Sequence, residues 1–184
     1  MNILIFGLII FIGIHLVPCI PSFKSSLVGK MGANGYKGMF SILSFLSLGL
    51  IIYGFGAAEF VPVYDPPHWG RYFAMIAMIP VLILLPAANM PTNIKRFIRH
   101  PMLLGVVLWA VAHLCANGDQ ASMILFGALG VYGVFGIWSA NSRGATTSTE
   151  VVSLKKDMIV IVAGLVVYAV LIYFHGTLFG APLI

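Results

Sequence analysis

Residues 97–119 read FIRHPMLLGVVLWAVAHLCANGD, and this run decides the fold class. No Lys, Arg, Asp or Glu occurs between Arg99 and Asp119. The apolar part begins at Pro101, a residue suited to the first helical position, and ends at Asn117-Gly118, a helix-stopping pair. An apolar helix bounded in this way reads as a membrane span. Its histidines pose the functional question, because ionisable side chains in a bilayer are costly and tend to mark sites. His100 and His113 are 13 positions apart. On one helix they point roughly 220° apart and lie ~20 Å apart along the axis, so they cannot share a metal ion.

The rest of the chain agrees with this reading. Of its 184 residues 60% are hydrophobic and 8% charged, with a mean hydropathy of +1.04. That is too little charge to cover a soluble domain of this size. Apolar stretches fall at about 3–20, 38–58, 72–89, 101–116, 120–140 and 158–179, each near the ~20 residues a span needs. The expected fold is an all-α, polytopic bundle of six transmembrane helices, one domain over residues 1–184 without a linker or repeat. Pro80 and Pro86 predict kinks in the third helix.

Charge placement orients the bundle. Lys24, Lys30 and Lys37, then Lys95, Arg96 and Arg99, then Arg143, Lys155 and Lys156 fall on alternate connections, and only Arg71 falls on the others. The positive-inside rule puts the basic connections in the cytoplasm and both termini on the outer, periplasmic side. The net charge of +5 therefore reports topology, with the lipid bilayer as partner and no nucleic acid. The N-terminal stretch has no basic n-region or cleavage site and reads as a retained span. Cys19 and Cys115 are too few for a disulfide framework and sit near opposite helix ends. The polar segment 139–157, SANSRGATTSTEVVSLKKD, reads as a mobile loop. Gly127, Gly130, Gly133 and Gly136 form a ridge suited to close helix packing more than to a flat cofactor.

His113 and His15 are the histidines placed inside spans, and neither has an acidic residue at its depth. From the outer face, helix rise places His15 ~20 Å deep and His113 ~10 Å deep. Zinc wants three or four ligands, and no third residue is available at that depth. Haem iron needs one or two axial ligands and an apolar slot. Two readings stay open from the residues alone: a bis-histidine haem, and structural histidines held by hydrogen bonds. Arg99-His100-Pro101 reads as a capped, basic helix start or as a contact for a propionate or phosphate. His68 and His175 read as interfacial, and Asp119 as the cap of the next helix. No P-loop, glycine-rich dinucleotide motif, nucleophile elbow or CxxC pair occurs.

Several motifs carry a family resemblance. GIHLVP (13–18), GYKGMFSILS (35–44), YDPPHWGR (64–71), IKRFIRHPMLLGVVLWAVAHLCANGD (94–119) and FGALGVYGVFGIWS (126–139) resemble the NnrU family. These are small bacterial membrane proteins associated with denitrification and nitric oxide metabolism. The resemblance covers roughly residues 5–140, and the last span is generic. It implies a multi-pass protein of the bacterial inner membrane, acting as an accessory or redox-gated protein, with nitric oxide reductase components as partners. The zeta-carotene cis–trans isomerases are relatives of the family and hold a haem b through membrane histidines. Their counterparts here are His113, in WAVAH, and His15. Where the isomerase motif has a cysteine, this chain has Ala110, so no cysteine-for-histidine ligand switch is implied. The resemblance thus implies haem b on His15 and His113. The propionates of such a haem want cations, and Arg99 or Lys95 on the inner side are the nearest candidates, with His100 beside Arg99 as a further anion contact. It also implies the alternative of an isomerase acting on a lipophilic, carotenoid-like substrate. A more distant similarity, to isoprenylcysteine methyltransferases and sterol reductases, rests on RHPxxxG (Arg99, His100, Pro101, Gly105) at a helix start. There the element contacts an adenosylmethionine or NADPH-type cofactor, but the acidic, aromatic C-terminal segment of those enzymes is missing here. Whether the chain is an enzyme stays open.

Overall fold

A computed structural model describes residues 1–180 and Leu183. The helices are α1 (Asn2–Leu16), extended by a 3-10 turn over Val17–Cys19, α2 (Pro21–Gly56), α3 (Gly70–Asn89), α4 (Ile94–Phe97), α5 (Pro101–Ala116), α6 (Gln120–Ser142) and α7 (Leu154–Phe179). All six expected apolar stretches are helical. Among the described residues five helices are long and apolar enough to cross a membrane, and α5, with 16 residues, is shorter. At its rise α5 covers ~24 Å, against a hydrocarbon thickness of ~30 Å. We call the end of the bundle holding His100 inner, following the charge pattern, and the other end outer.

The long helices pack as a row in the order α2, α1, α6, α5, α3, α7. Small residues permit the close crossings, as is usual where lipid supplies no hydrophobic drive between helices. A Cβ on Gly7 would lie 2.9 Å from the Ile51 nitrogen, and one on Gly164 2.7 Å from the Leu82 carbonyl oxygen. Gly54 lies against the Leu4 backbone in the same way. Leu4, Leu8, Ile51, Ala110, Leu125 and Phe126 form the main buried cluster. Phe45, Ile76 and Val131 point outward at 75%, 68% and 71% exposure, as lipid-facing side chains do.

Helix α2 departs from expectation at its start. Its 36 residues are broken at Gly32, with φ 75° and ψ 163°, a backbone region essentially reserved for glycine. The second span therefore follows Gly32, and Pro21–Met31 is a separate short helix. Gly32→Ala is expected to cost about 1–3 kcal/mol in detergent-solubilised protein. Thermal unfolding beside Gly38→Ala checks this, since a Cβ on Gly38 meets nothing within 4 Å. Helix α3 continues through Pro80 and Pro86 from Gly70 to Asn89.

The Ser/Thr-rich segment is held in place, contrary to its reading as a mobile loop. Asn93 Nδ2 donates to the Val152 carbonyl at 2.8 Å, and the Val152 N–H donates to Asn93 Oδ1 at 3.1 Å. The Ser148 N–H donates to the Lys95 carbonyl at 3.0 Å. Asp157, in the first turn of α7, accepts from Thr92 Oγ1 at 2.6 Å, the Asn93 N–H at 2.7 Å and Asn93 Nδ2 at 2.6 Å. Composition suggests mobility only when such a segment has nowhere to spend its backbone hydrogen bonds, and here the α3–α4 connection supplies partners.

At the outer end, residues 57–69 form a strap over α5. The Val63 and Tyr64 N–H groups donate to the Gly118 carbonyl at 2.8 and 3.1 Å, and the Gln120 N–H to Val61 at 2.9 Å. The Tyr64 hydroxyl donates to the Leu114 carbonyl and, at 2.8 Å, to that of Asn117. These are helix-end carbonyls with no intrahelical partner of their own. Burial, then the nearby Cys115 and Asp119, push the Tyr64 hydroxyl above the usual tyrosine range. As expected, Asp119 caps α6, accepting from the Ser122 N–H at 3.0 Å.

Candidate functional site

His15 and His113 are held alike. Each Nδ1 lies against the carbonyl one turn earlier in its own helix, Phe11 at 2.7 Å and Trp109 at 2.9 Å. That contact needs the proton on Nδ1 and leaves Nε2 as the lone-pair nitrogen. Neither Nε2 has a hydrogen-bond partner among the described residues. The His15 ring stacks on Phe11 at 4.1 Å between centroids, with Phe40 at 4.9 Å and the edge of Tyr132 at 6.0 Å. The His113 ring stacks on Phe126 at 4.6 Å, with Trp109 at 5.3 Å.

The structure does not bring these two histidines together. His15 meets α6 from the α1 side at Tyr132, and His113 meets it from the α5 side at Phe126. The two α6 residues are six positions apart, a separation of ~9 Å along the helix. The cause is register: His15 lies one residue from the inner end of α1, and His113 three from the outer end of α5. Each imidazole alone fits an axial iron ligand, oriented by a hydrogen bond from its other nitrogen. The two imidazoles meet α6 at different heights and from different neighbouring helices.

The glycine ridge offers no slot either. A Cβ on Gly130, Gly133 or Gly136 would lie 3.0, 2.8 or 3.0 Å from Ala110, Val107 or Leu103. The ridge packs α5, as its small residues suggest, and only Gly127 of the set faces open space. Cys19 and Cys115 are free thiols.

His100 does not cap α5 with its side chain. Instead Arg99 Nη1 and His100 Nε2 reach the same Asn141 Oδ1, at 2.8 and 2.9 Å. Arg99 is a donor only and the amide oxygen an acceptor only, so His100 carries a proton on Nε2. The RHP element thus ties the inner end of α5 to that of α6. Beside it, Arg143 Nη1 donates to Ser139 Oγ and, at 3.2 Å, to the Cys19 carbonyl. Lys95 lies apart from this rim, lining a cleft of about 210 Å³ with Thr92, Ser148 and Glu150.

Sequence reasoning missed Phe126, Tyr132 and Asn141 as partners. Depth alone signals Tyr132: it sits ~18 Å along α6 from the outer face, level with His15 on α1. Its hydroxyl approaches the His15 carbonyl at 3.5 Å. Asn141 carries no such signal, because it lies beyond the expected end of its span.

No curated protein and no solved structure matches the chain. The profile of one family, described as NnrU protein, matches residues 3–183 and so takes in the last helix, which the motifs alone left out. With nearly its whole length matched, α1 through α7 and both histidine pockets included, this helical membrane protein belongs to the NnrU family.

Proposed function

We propose that this chain is a six-span protein of the bacterial inner membrane that binds haem b through His113 and serves nitric oxide or denitrification chemistry as an accessory or redox-gated protein. The observation that carries the haem reading is the His113 imidazole, fixed through Nδ1 to the Trp109 carbonyl and stacked on Phe126, with no hydrogen-bond partner on Nε2 among the described residues. α5 counts as the sixth span because it bears no charged residue and the strap covers its outer end.

Haem, when bound, would supply gas binding and one-electron chemistry. The chain's own part is to hold the imidazole. The Nδ1–H bond to Trp109 fixes its tautomer and raises its basicity, and the Trp109 and Phe126 rings keep water from it. His15 contacts α6 at Tyr132 rather than at Phe126, so His113 is the residue of this chain that would hold the haem. Arg99 and His100 lie ~20 Å down α5 from His113. They suit an anion at the inner surface rather than propionates of a haem held there.

Absorption spectra of detergent-purified protein, expressed with ample haem, test this. The Soret band is expected in the parent and in His15→Ala and His100→Ala, and is expected to vanish in His113→Ala. Loss in both His15→Ala and His113→Ala would restore the bis-histidine pair. A colourless parent protein would end the haem reading.

A further inference from the structure

The short helix before Gly32 has a length and a face that the span after it does not explain. Unbroken, α2 would run ~54 Å, far beyond the ~30 Å of hydrocarbon. The break at Gly32 releases Pro21–Met31 from the span. Leu27 and Val28 pack against the buried Ile14, Val17 and Tyr36, so this helix is folded against the inner end of α1 and α2. Lys24, Lys30 and Lys37 are exposed, as are Phe23 at 50% and Met31 at 42%.

The helical step of ~100° per residue gathers Phe23, Leu27 and Met31 on one side with Lys24 and Lys30 beside them. Ser22, Ser25, Ser26 and Gly29 take the opposite side. The first 58 residues hold these three lysines as their only Lys or Arg, and no Asp or Glu. None of the three has an ion-pair partner among the described residues. An apolar stripe flanked by lysines, opposite a serine-rich arc, is the pattern of a helix lying in the membrane interface. Lysine stems run along the apolar surface and carry their ammonium groups outward.

We propose that Pro21–Met31 is an in-plane helix of the inner leaflet, and that Lys24, Lys30 and Lys37 bind the phosphates of anionic phospholipids. This rests on the membrane placement given under Proposed function and not on haem. The basic charge here is matched by no acid of the chain, and anionic headgroups are the complementary charge at that surface.

The test uses the full chain in neutral detergent, titrated with phosphatidylglycerol, phosphatidylcholine or inorganic phosphate while its thermal midpoint is followed. Phosphatidylglycerol alone is expected to raise the midpoint. In the triple variant K24Q/K30Q/K37Q the concentration needed for the same rise is expected to grow on the order of 100-fold, with the lipid-free midpoint unchanged. An equal response to phosphatidylcholine, an equal response to inorganic phosphate, or an undiminished response in the triple variant would each overturn the proposal. The Soret spectrum, recorded on the same samples, reports separately on haem.

Discussion

Gly70→Ala and Gly118→Ala are each expected to destabilise the protein by about 3 kcal/mol, the upper end of what forced overpacking costs. A Cβ on Gly70 would fall on the Cys115 carbonyl, and one on Gly118 on the carbonyl of Tyr64. Neither obstacle is a side chain that can rotate away. Both are backbone groups, one in the last turn of α5 and one in the strap, so relief means shifting the strap and the start of α3 off the end of α5. Gly127→Ala is the control, with open space around its Cβ and a gain of up to ~1 kcal/mol in helix propensity. Thermal unfolding of the three variants in one detergent checks the contrast. Equal midpoints for all three would show that the strap does not bear on stability.

Asn93→Ala is expected to cost about 2–3 kcal/mol, from three side-chain hydrogen bonds each contributing roughly 1 kcal/mol net. The bonds run to the Val152 carbonyl, the Val152 N–H and Asp157. Asn93 is the one side chain that joins the α3–α4 connection to both the Ser/Thr-rich segment and the first turn of α7. Its removal should raise amide exchange across residues 146–153 before any change in α5 or α6. Uniform exchange in variant and parent would mean that Ser148 and Lys95 hold the segment without it.

The architecture was largely legible because lipid imposes a simple code: apolar runs of helical length, broken by charge or turn residues. Pro101, Asn117 and Asp119 mark helix boundaries where the structure has them. Three things escaped that code. Gly32 reads in sequence as one glycine among several near Lys30 and Lys37, and only its backbone angles show the break. The Ser/Thr-rich segment looks free until Asn93, more than 50 residues earlier, is brought beside it. The separation of His15 from His113 was half visible, since their depths differed from the outset. What sequence cannot carry is that α6 stands between their two helices, turning a depth difference into two pockets.

The strap also completes the end of the bundle where α5 is short. α5 spans ~24 Å, and above it the layer is finished by extended chain whose polar backbone is bonded to helix-end carbonyls. His113 lies three residues below that boundary, beside Phe126. The imidazole is thus about one helical turn from the strap. The Arg99–His100–Asn141 tie is ~20 Å away at the other end of α5. One end of this helix is closed by backbone pairing and the other by a side-chain tie, and the histidine sits beside the first.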